Sequence, residues 1–329
     1  MAADTSVTRG VVPGPARSTS RVANPARRWK GDERTRTLWA RATGTTVVRR
    51  TRAPWRATIT PAPSEATATF VGAGDIAVCG SDGDEATAAL LDGIPGTIFT
   101  LGDNVYGGAG PEHYRDCYGP SWGRHLPRTR AIAGNHDYDP GDATGYLEFF
   151  GAAAAPEGLT WYAYRLGPWQ VVALDSDCDA IGGCDAGSPQ ETWLRATLTA
   201  SDARCTIALW HHPRFSSGSH GDDGRTDAFW RALDEAGAEV VLTGHDHDYE
   251  RFAPQDADRR PTDGGLRQFV VGTGGVLLRG FGRVAANSEV RDSSTHGVLR
   301  LTLREDGYDW SFVPVAGGTF TDAGSGSCS

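Results

Sequence analysis

The stretch "EVVLTGHDHDYER", residues 239 to 251, changes character at its middle. A short apolar run closed by glycine reads as a buried strand, and the ionisable groups that follow stand at its carboxyl end. Five other runs have the same form: "ATFVGAGD" (68 to 75), "TIFTLGD" (97 to 103), "RAIAGNHD" (130 to 137), "CTIALWHH" (205 to 212) and "RQFVVGTGG" (267 to 275). Helical patterns separate several of them. The clearest is "SPQETWLRATL" (188 to 198), with Ser188 as N-cap, Pro189 at the first helical position, Glu191 closing a capping box, and Leu194 and Leu198 on one face. Segments 83 to 92 and 226 to 236 carry weaker versions. Two further stretches, 161 to 177 and 297 to 315, place "GP" and "EDG" between alternating segments, which is a hairpin signature. The pattern predicts an α/β fold with antiparallel additions, in one domain over 67 to 329.

Five of the six strands finish on groups of metal-ligand type: Asp75, Asp103, Asn135 with His136 and Asp137, His211 with His212, and His245 with Asp246 and His247. In α/β sheets, sites form in the crevice outside the carboxyl ends of strands, so five strand ends can deliver these side chains to one place. Taken singly, a Gly-Asp turn is commonplace and a lone histidine is more often structural than a ligand. Jointly the pattern is harder to dismiss. For this composition, G-N-H-D arises by chance roughly once in a thousand chains and G-H-x-H roughly once in thirty.

The bulk numbers are those of a globular chain: 329 residues, 39% hydrophobic and 22% charged. Charge is divided unevenly, because residues 1 to 66 hold 13 Lys and Arg against 4 Asp and Glu, and the remainder 19 against 37. The basic segment has few large apolar residues and is expected to be a disordered, solvated extension. The acidic remainder argues against nucleic acid as a partner of the folded domain. No run of 18 apolar residues is present, which excludes a transmembrane helix, and the apolar stretch of a signal peptide is also not visible. Six cysteines without C-x-x-C spacing favour disulfides, with Cys178 and Cys184 able to close a local loop. Bridged cysteines imply an exported protein, against the missing signal peptide, and a misassigned start or buried free thiols would each resolve that conflict.

"GD" at 74 and 75, "GDNVY" at 102 to 106, "GNHD" at 134 to 137, "WHHP" at 210 to 213 and "GHDHDYER" at 244 to 251 resemble the five blocks of the calcineurin-like metallophosphoesterases. G-D-x-x-Y and G-H-x-H-x-Y-E-R are similar to the purple acid phosphatase branch. The resemblance spans residues 70 to 251 and leaves 1 to 66 uncovered, as in a short single-domain form. It implies a four-layer α/β/β/α sandwich with two mixed sheets and a two-metal site. It puts Asp75, Asp103, Tyr106 and His247 on one metal, and Asp103, Asn135, His211 and His245 on the other, with Asp103 bridging. Two histidines two apart on an extended segment suit two ions about 3.5 to 4 Å apart better than one. One departure is Ala77, where the branch has glycine, so the backbone beside Asp75 is expected to differ.

Two cations would lower the pKa of a shared water toward about 7, making metal-bound hydroxide the nucleophile on a phosphate ester. Phenolate and carboxylate favour a trivalent ion such as Fe(III) on the Tyr106 side, and the amide and imidazoles a divalent Fe, Zn or Mn. With Tyr106 as a core aromatic instead, the site would be a plain divalent pair. His136 is the leading candidate for the acid that protonates the leaving group, with Asp137 orienting its ring. His220, in "HHPRFSSGSH", is either a substrate-facing histidine, as the resemblance implies, or a solvent-exposed loop residue. His212 is expected in packing or behind the ligands, and His113, His125 and His296 as structural. The leading function is a phosphomonoesterase of acid phosphatase type, the alternatives a phosphodiesterase or nucleotide pyrophosphatase, or a secreted metal-binding protein without turnover. Oligomeric state is not readable.

Overall fold

The computed structural model describes residues 67–139 and 141–328. The basic segment expected to be disordered, 1 to 66, lies outside the described residues. Each predicted run forms a strand, but each strand stops before the polar residues at its end: Thr67–Ala73, Thr97–Thr100, Thr129–Arg130, Cys205–Leu209, Val240–Thr243 and Arg267–Val271. The greatest difference is at 130 to 137. Only Thr129 and Arg130 pair with the neighbouring strand, Ala131 N–H turns away to Ala153 O (2.9 Å), and Asn135–Tyr138 forms a 3-10 turn.

Among the described residues two large mixed sheets form. The first runs, in spatial order, Ala323–Ser327, Gly307–Pro314, Gly297–Arg304, Thr67–Ala73, Thr97–Thr100, Thr129–Arg130, and its last three strands are parallel. The second runs Ser288–Asp292, Tyr249–Phe252, Arg267–Val271, Val240–Thr243, Cys205–Leu209, Trp169–Ala173, Tyr162–Leu166, with the middle segment from Arg267–Val271 to Trp169–Ala173 parallel. Both expected hairpins are present as the antiparallel pairs 162–166 with 169–173 and 297–304 with 307–314.

The near-continuous apolar runs follow from burial on two faces. Val171, Ile207, Val240 and Phe269 enter the core shared with the first sheet, while their neighbours Val172, Ala208, Val241 and Val270 pack with Leu194, Phe229 and Trp230 of two covering helices. Fully burying a side chain such as Leu194 or Phe229 contributes roughly 1.5–3 kcal/mol. The sheets meet face to face through Phe269 on Trp310 (ring centroids 5.6 Å), Tyr249 on Phe312 (4.9 Å), and the Trp169 indole N–H donating to Arg304 O (2.7 Å). Helix Gly83–Gly93 buries Ala88 and Leu91 against the first sheet. The result is the helix, sheet, sheet, helix order of the expected four-layer sandwich.

The Pro189–Ala200 helix caps differently from expectation. Ser188 Oγ accepts from Glu191 N–H (3.3 Å), but Glu191 Oε2 takes Gly187 N–H (2.9 Å), because Ser188 N–H is already committed to Asp185 O (3.0 Å). All six cysteines are bridged, as Cys79–Cys117, Cys178–Cys184 and Cys205–Cys328, so the local loop at 178 to 184 is closed as predicted. Among the described residues no helix is long and apolar enough to cross a membrane.

Candidate metal centre

Five strand ends converge at the carboxyl edge where the two sheets meet. Asp75, Asp103 and His245 all have positive φ (60°, 49° and 69°), a conformation that costs a non-glycine residue on the order of 1–3 kcal/mol and concentrates at functional sites. Interlocking bonds hold it: Asp75 N–H to Gly102 O (3.1 Å), Ile76 N–H to Asp103 O (3.0 Å), and His245 N–H to Asp75 Oδ2 (2.9 Å). The glycines that precede two of the candidate ligands answer a packing demand. A Cβ on Gly134 would lie 2.4 Å from Asp103 Oδ1, and one on Gly244 would lie 2.7 Å from Asp75 Oδ2.

Around the Tyr106 hydroxyl the expected first set comes together: Asp75 Oδ1 at 2.7 Å, Asp103 Oδ2 at 2.8 Å and His247 Nε2 at 3.1 Å. Ala77 and Val78 pair in parallel with Val105 and Tyr106, which sets the tyrosine beside Asp75. The second set adjoins it through Asp103, whose Oδ2 is also 3.3 Å from His211 Nε2, and that nitrogen is 3.2 Å from His245 Nδ1. Candidate ligand atoms of Asp75, Asp103 and His211 fall within 4.8 Å of one another, as do those of His211, His212 and His245. Asn135 Oδ1 is buried and has no hydrogen-bond partner among the described residues, an acceptor left free for a cation.

The charges are arranged as a metal site requires. Burial pushes the Asp75 carboxyl up to about 7, with the Asp103 charge adding to the rise against the pull of His211. Burial also raises Asp103, but His211 outweighs it and holds this carboxyl below its usual range. Burial opposes protonation of His211, yet Asp103 and Asp75 push it up to about 10. Burial, reinforced by the charges of Asp75 and Asp103, lifts the Tyr106 phenol well above its ordinary 10. His245 is depressed by burial and by His211, and His247 by burial against its bond to Leu277, so both imidazoles are neutral and able to ligate. Two carboxyl groups and a phenol thus face His211, whose protonation Asp103 and Asp75 favour, and a bound cation would answer the same acidic groups.

His136 packs its ring on Tyr106 (centroids 4.3 Å) and anchors its N–H on Asp103 Oδ1 (2.8 Å). Asp137 does not orient that ring. Its buried carboxylate accepts from Asn104 N–H (3.0 Å), Asn104 Nδ2 (2.9 Å), Gly134 N–H (2.8 Å) and the Tyr114 hydroxyl, so it stitches the Asp103 turn to the Asn135 turn. His220 lies with its ring 4.2 Å from His245, and its N–H is held by Asp246 Oδ1 (2.8 Å). His212 is tied to Ser176 Oγ (2.9 Å), with its ring 4.4 Å from His245. His125 and His296 bond to backbone carbonyls at Ala88 and Val276, and His113 pairs with Glu112. Sequence reasoning missed Asn104 and Tyr114, and it placed Asp246 at a strand end without giving it the task of holding the His220 loop.

Residues 68–249 match the calcineurin-like phosphoesterase family. Purple acid phosphatase 21 of Arabidopsis thaliana is 27% identical over 272 residues, covering 68% of this chain and 61% of that protein. An uncharacterized Mycobacterium tuberculosis protein is 28% identical over 145 residues, 37% of this chain and 27% of its own length. The chain therefore spans less than two thirds of these relatives. Among solved structures, the purple acid phosphatase PPD1 of yellow lupin superposes with a TM-score of 0.62 at 17% identity, over 81% of this chain and 55% of that one. GAP50, the anchor in the inner membrane complex of Plasmodium, gives 0.62 at 14% identity, over 80% and 90%. The chain belongs to the calcineurin-like phosphoesterase family, and its similarity lies with the purple acid phosphatase branch.

Proposed function

We propose that residues 67 to 329 form a two-metal phosphohydrolase that cleaves phosphate monoesters, and that the protein works in an oxidising, extracytoplasmic compartment. One observation carries the reading: Asp103 is shared between a Tyr106, Asp75, His247 corner and a His211, His245 corner, beside the unpartnered Asn135 Oδ1. Asp75, Asp103, Tyr106 and His247 would hold one ion, and Asp103, Asn135, His211 and His245 the other. Bound there, the ions supply Lewis-acid charge for the phosphate oxygens and an activated water. The chain's own groups do the rest. In this reading His136, packed at a tilt on Tyr106 at the half-buried face of the site, gives a proton to the departing oxygen, and Asp137 fixes the turn on which it sits. Hard anionic ligands on the Tyr106 side favour Fe(III) there, with Fe, Zn or Mn as partner. Three disulfides support the compartment.

Turnover of p-nitrophenyl phosphate and of its bis ester, together with metal analysis and a visible spectrum, tests the chemistry. Faster monoester cleavage by a coloured iron protein is expected. Preference for the bis ester would overturn the monoester reading in favour of a phosphodiesterase, and absence of turnover by metal-replete protein would leave a metal-binding protein.

A further inference from the structure

The rim of the centre includes a loop that carries no ligand, "VLLRGFGRVA" (276 to 285). Hydrogen bonds to His247 and Ser217 fix its backbone. Leu277 O accepts from His247 Nδ1 (3.0 Å), Arg279 N–H donates to His247 O (2.9 Å), Gly282 N–H to Ser217 O (2.7 Å), and Ala285 N–H to Ser217 Oγ (2.8 Å). Arg279 therefore projects from a fixed base beside a proposed ligand. Its Nη1 is 2.7 Å from His220 Nε2, and the His220 ring in turn packs on His245. A guanidinium can only donate, so His220 is the acceptor at Nε2 and the remaining guanidinium N–H groups stay uncommitted to that contact. Three other arginines are spent differently: Arg259 pairs with Asp222, Arg251 with Asp322 and Glu289, and Arg267 with Glu289. Arg279 has only histidine as its recorded side-chain partner among the described residues, and it is exposed.

We propose that Arg279 is a specificity-determining residue that clamps the outer oxygens of the substrate phosphate and so favours dianionic monoesters over monoanionic diesters. The inference rests on the phosphohydrolase reading above. A monoester phosphate, with its second pKa near 6, carries close to two charges at neutral pH over three terminal oxygens. A diester has one charge and an organic group in place of the third oxygen. The planar fork of a guanidinium matches two phosphate oxygens and remains charged at any working pH. His220, fixed by Asp246, holds the fork at the mouth of the site when no substrate is present.

A merely structural role, in which Arg279 props His220, makes a different prediction, because glutamine keeps a donor for His220 and loses the charge. The test uses the metal-loaded full chain, its Arg279→Gln and Arg279→Lys variants, and Arg283→Gln as a control on the same loop. Steady-state rates on p-nitrophenyl phosphate and bis-p-nitrophenyl phosphate are combined with calorimetric binding of inorganic phosphate. Arg279→Gln should lower kcat/KM for the monoester by about 30-fold and for the diester by less than about 3-fold, weakening phosphate binding in parallel. Arg279→Lys should fall between, and Arg283→Gln should match the wild type. Equal losses on both esters, or unchanged discrimination, would overturn the assignment, and if the glutamine variant does not fold the lysine variant is held to the same criterion. If wild-type protein cleaves neither ester, the phosphohydrolase reading fails, while unchanged phosphate affinity in Arg279→Gln separately overturns the clamp.

Discussion

Asp103 and Arg279 lie in the same site and are held in opposite ways. Asp103 is 1% exposed, and its two oxygens meet the Tyr106 hydroxyl, His211 and the His136 N–H. Arg279 is exposed, with its backbone fixed and its side chain meeting one histidine. In the inner ring each group is positioned by several others, so a change propagates. At the rim a side chain can be exchanged without disturbing its neighbours, and selectivity between substrates can be tuned there.

Asp103→Asn is the strongest way to break this contrast. It keeps the shape and removes the charge shared by both corners, so activity should fall by at least about 10²-fold and one metal equivalent should be lost, with the far-UV circular dichroism unchanged. A variant that kept both metals and more than a tenth of the activity would show that the inner ring is not the reacting centre. Next in size is Asp137→Ala. It strands Asn104 N–H, Asn104 Nδ2, Gly134 N–H and the Tyr114 hydroxyl in a buried place, at a cost of about 3–5 kcal/mol measured by denaturant unfolding. A loss below about 1 kcal/mol would mean that the two turns do not depend on this carboxylate.

The contrast also explains what could be read from the sequence. Four of the proposed ligands, Asp75, Asp103, Asn135 and His245, stand directly after apolar runs and behind a glycine, and such local patterns survive without knowledge of the fold. Asp137 could be placed at the site but not given its partners, because Asn104 and Tyr114 reach it from 33 and 23 residues away. Edge strand Ala323–Ser327, "AGSGS", carries no apolar alternation at all. It forms because it lies against the rings of Trp310 and Tyr308 and is followed by the Cys205–Cys328 bridge. The loop 276 to 285 is fixed through its own backbone groups, which bond to Ser217 and His247 and leave no mark in the loop's own side-chain types. Asp246 within "GHDHD" holds the loop that carries His220, a task that the spacing does not reveal.

Behind the ring, Asp175 offers a pH test at about 2–3 kcal/mol. Burial pushes its carboxyl up to about 6, from 3.8 in the unfolded chain, despite bonds from the Tyr138 hydroxyl and Asp177 N–H. The native state then holds a proton that the unfolded chain releases, so this group's contribution to stability is full below pH 4, declines as pH rises to about 6, and is constant above. Asp175→Asn should remove that slope. The difference between wild type and variant, followed by urea unfolding from pH 4 to 7, measures it, and parallel curves would mean that Asp175 ionises normally.

The smallest effect is expected where ring and rim join, at Asp246. Its Oδ1 holds the His220 N–H and its Oδ2 the Ser216 hydroxyl, and Ser216 Oγ in turn accepts from Gly218 N–H (2.9 Å), so one carboxylate shapes the loop that carries His220. Asp246→Asn retains one acceptor oxygen and loses the other, which costs about 1 kcal/mol of stability and loosens the loop without touching a proposed ligand atom. KM for a monoester should therefore rise by about 3- to 10-fold with kcat within about 2-fold, the pattern of lost uniform binding. A fall in kcat at constant KM would move His220 from the rim into the reacting ring.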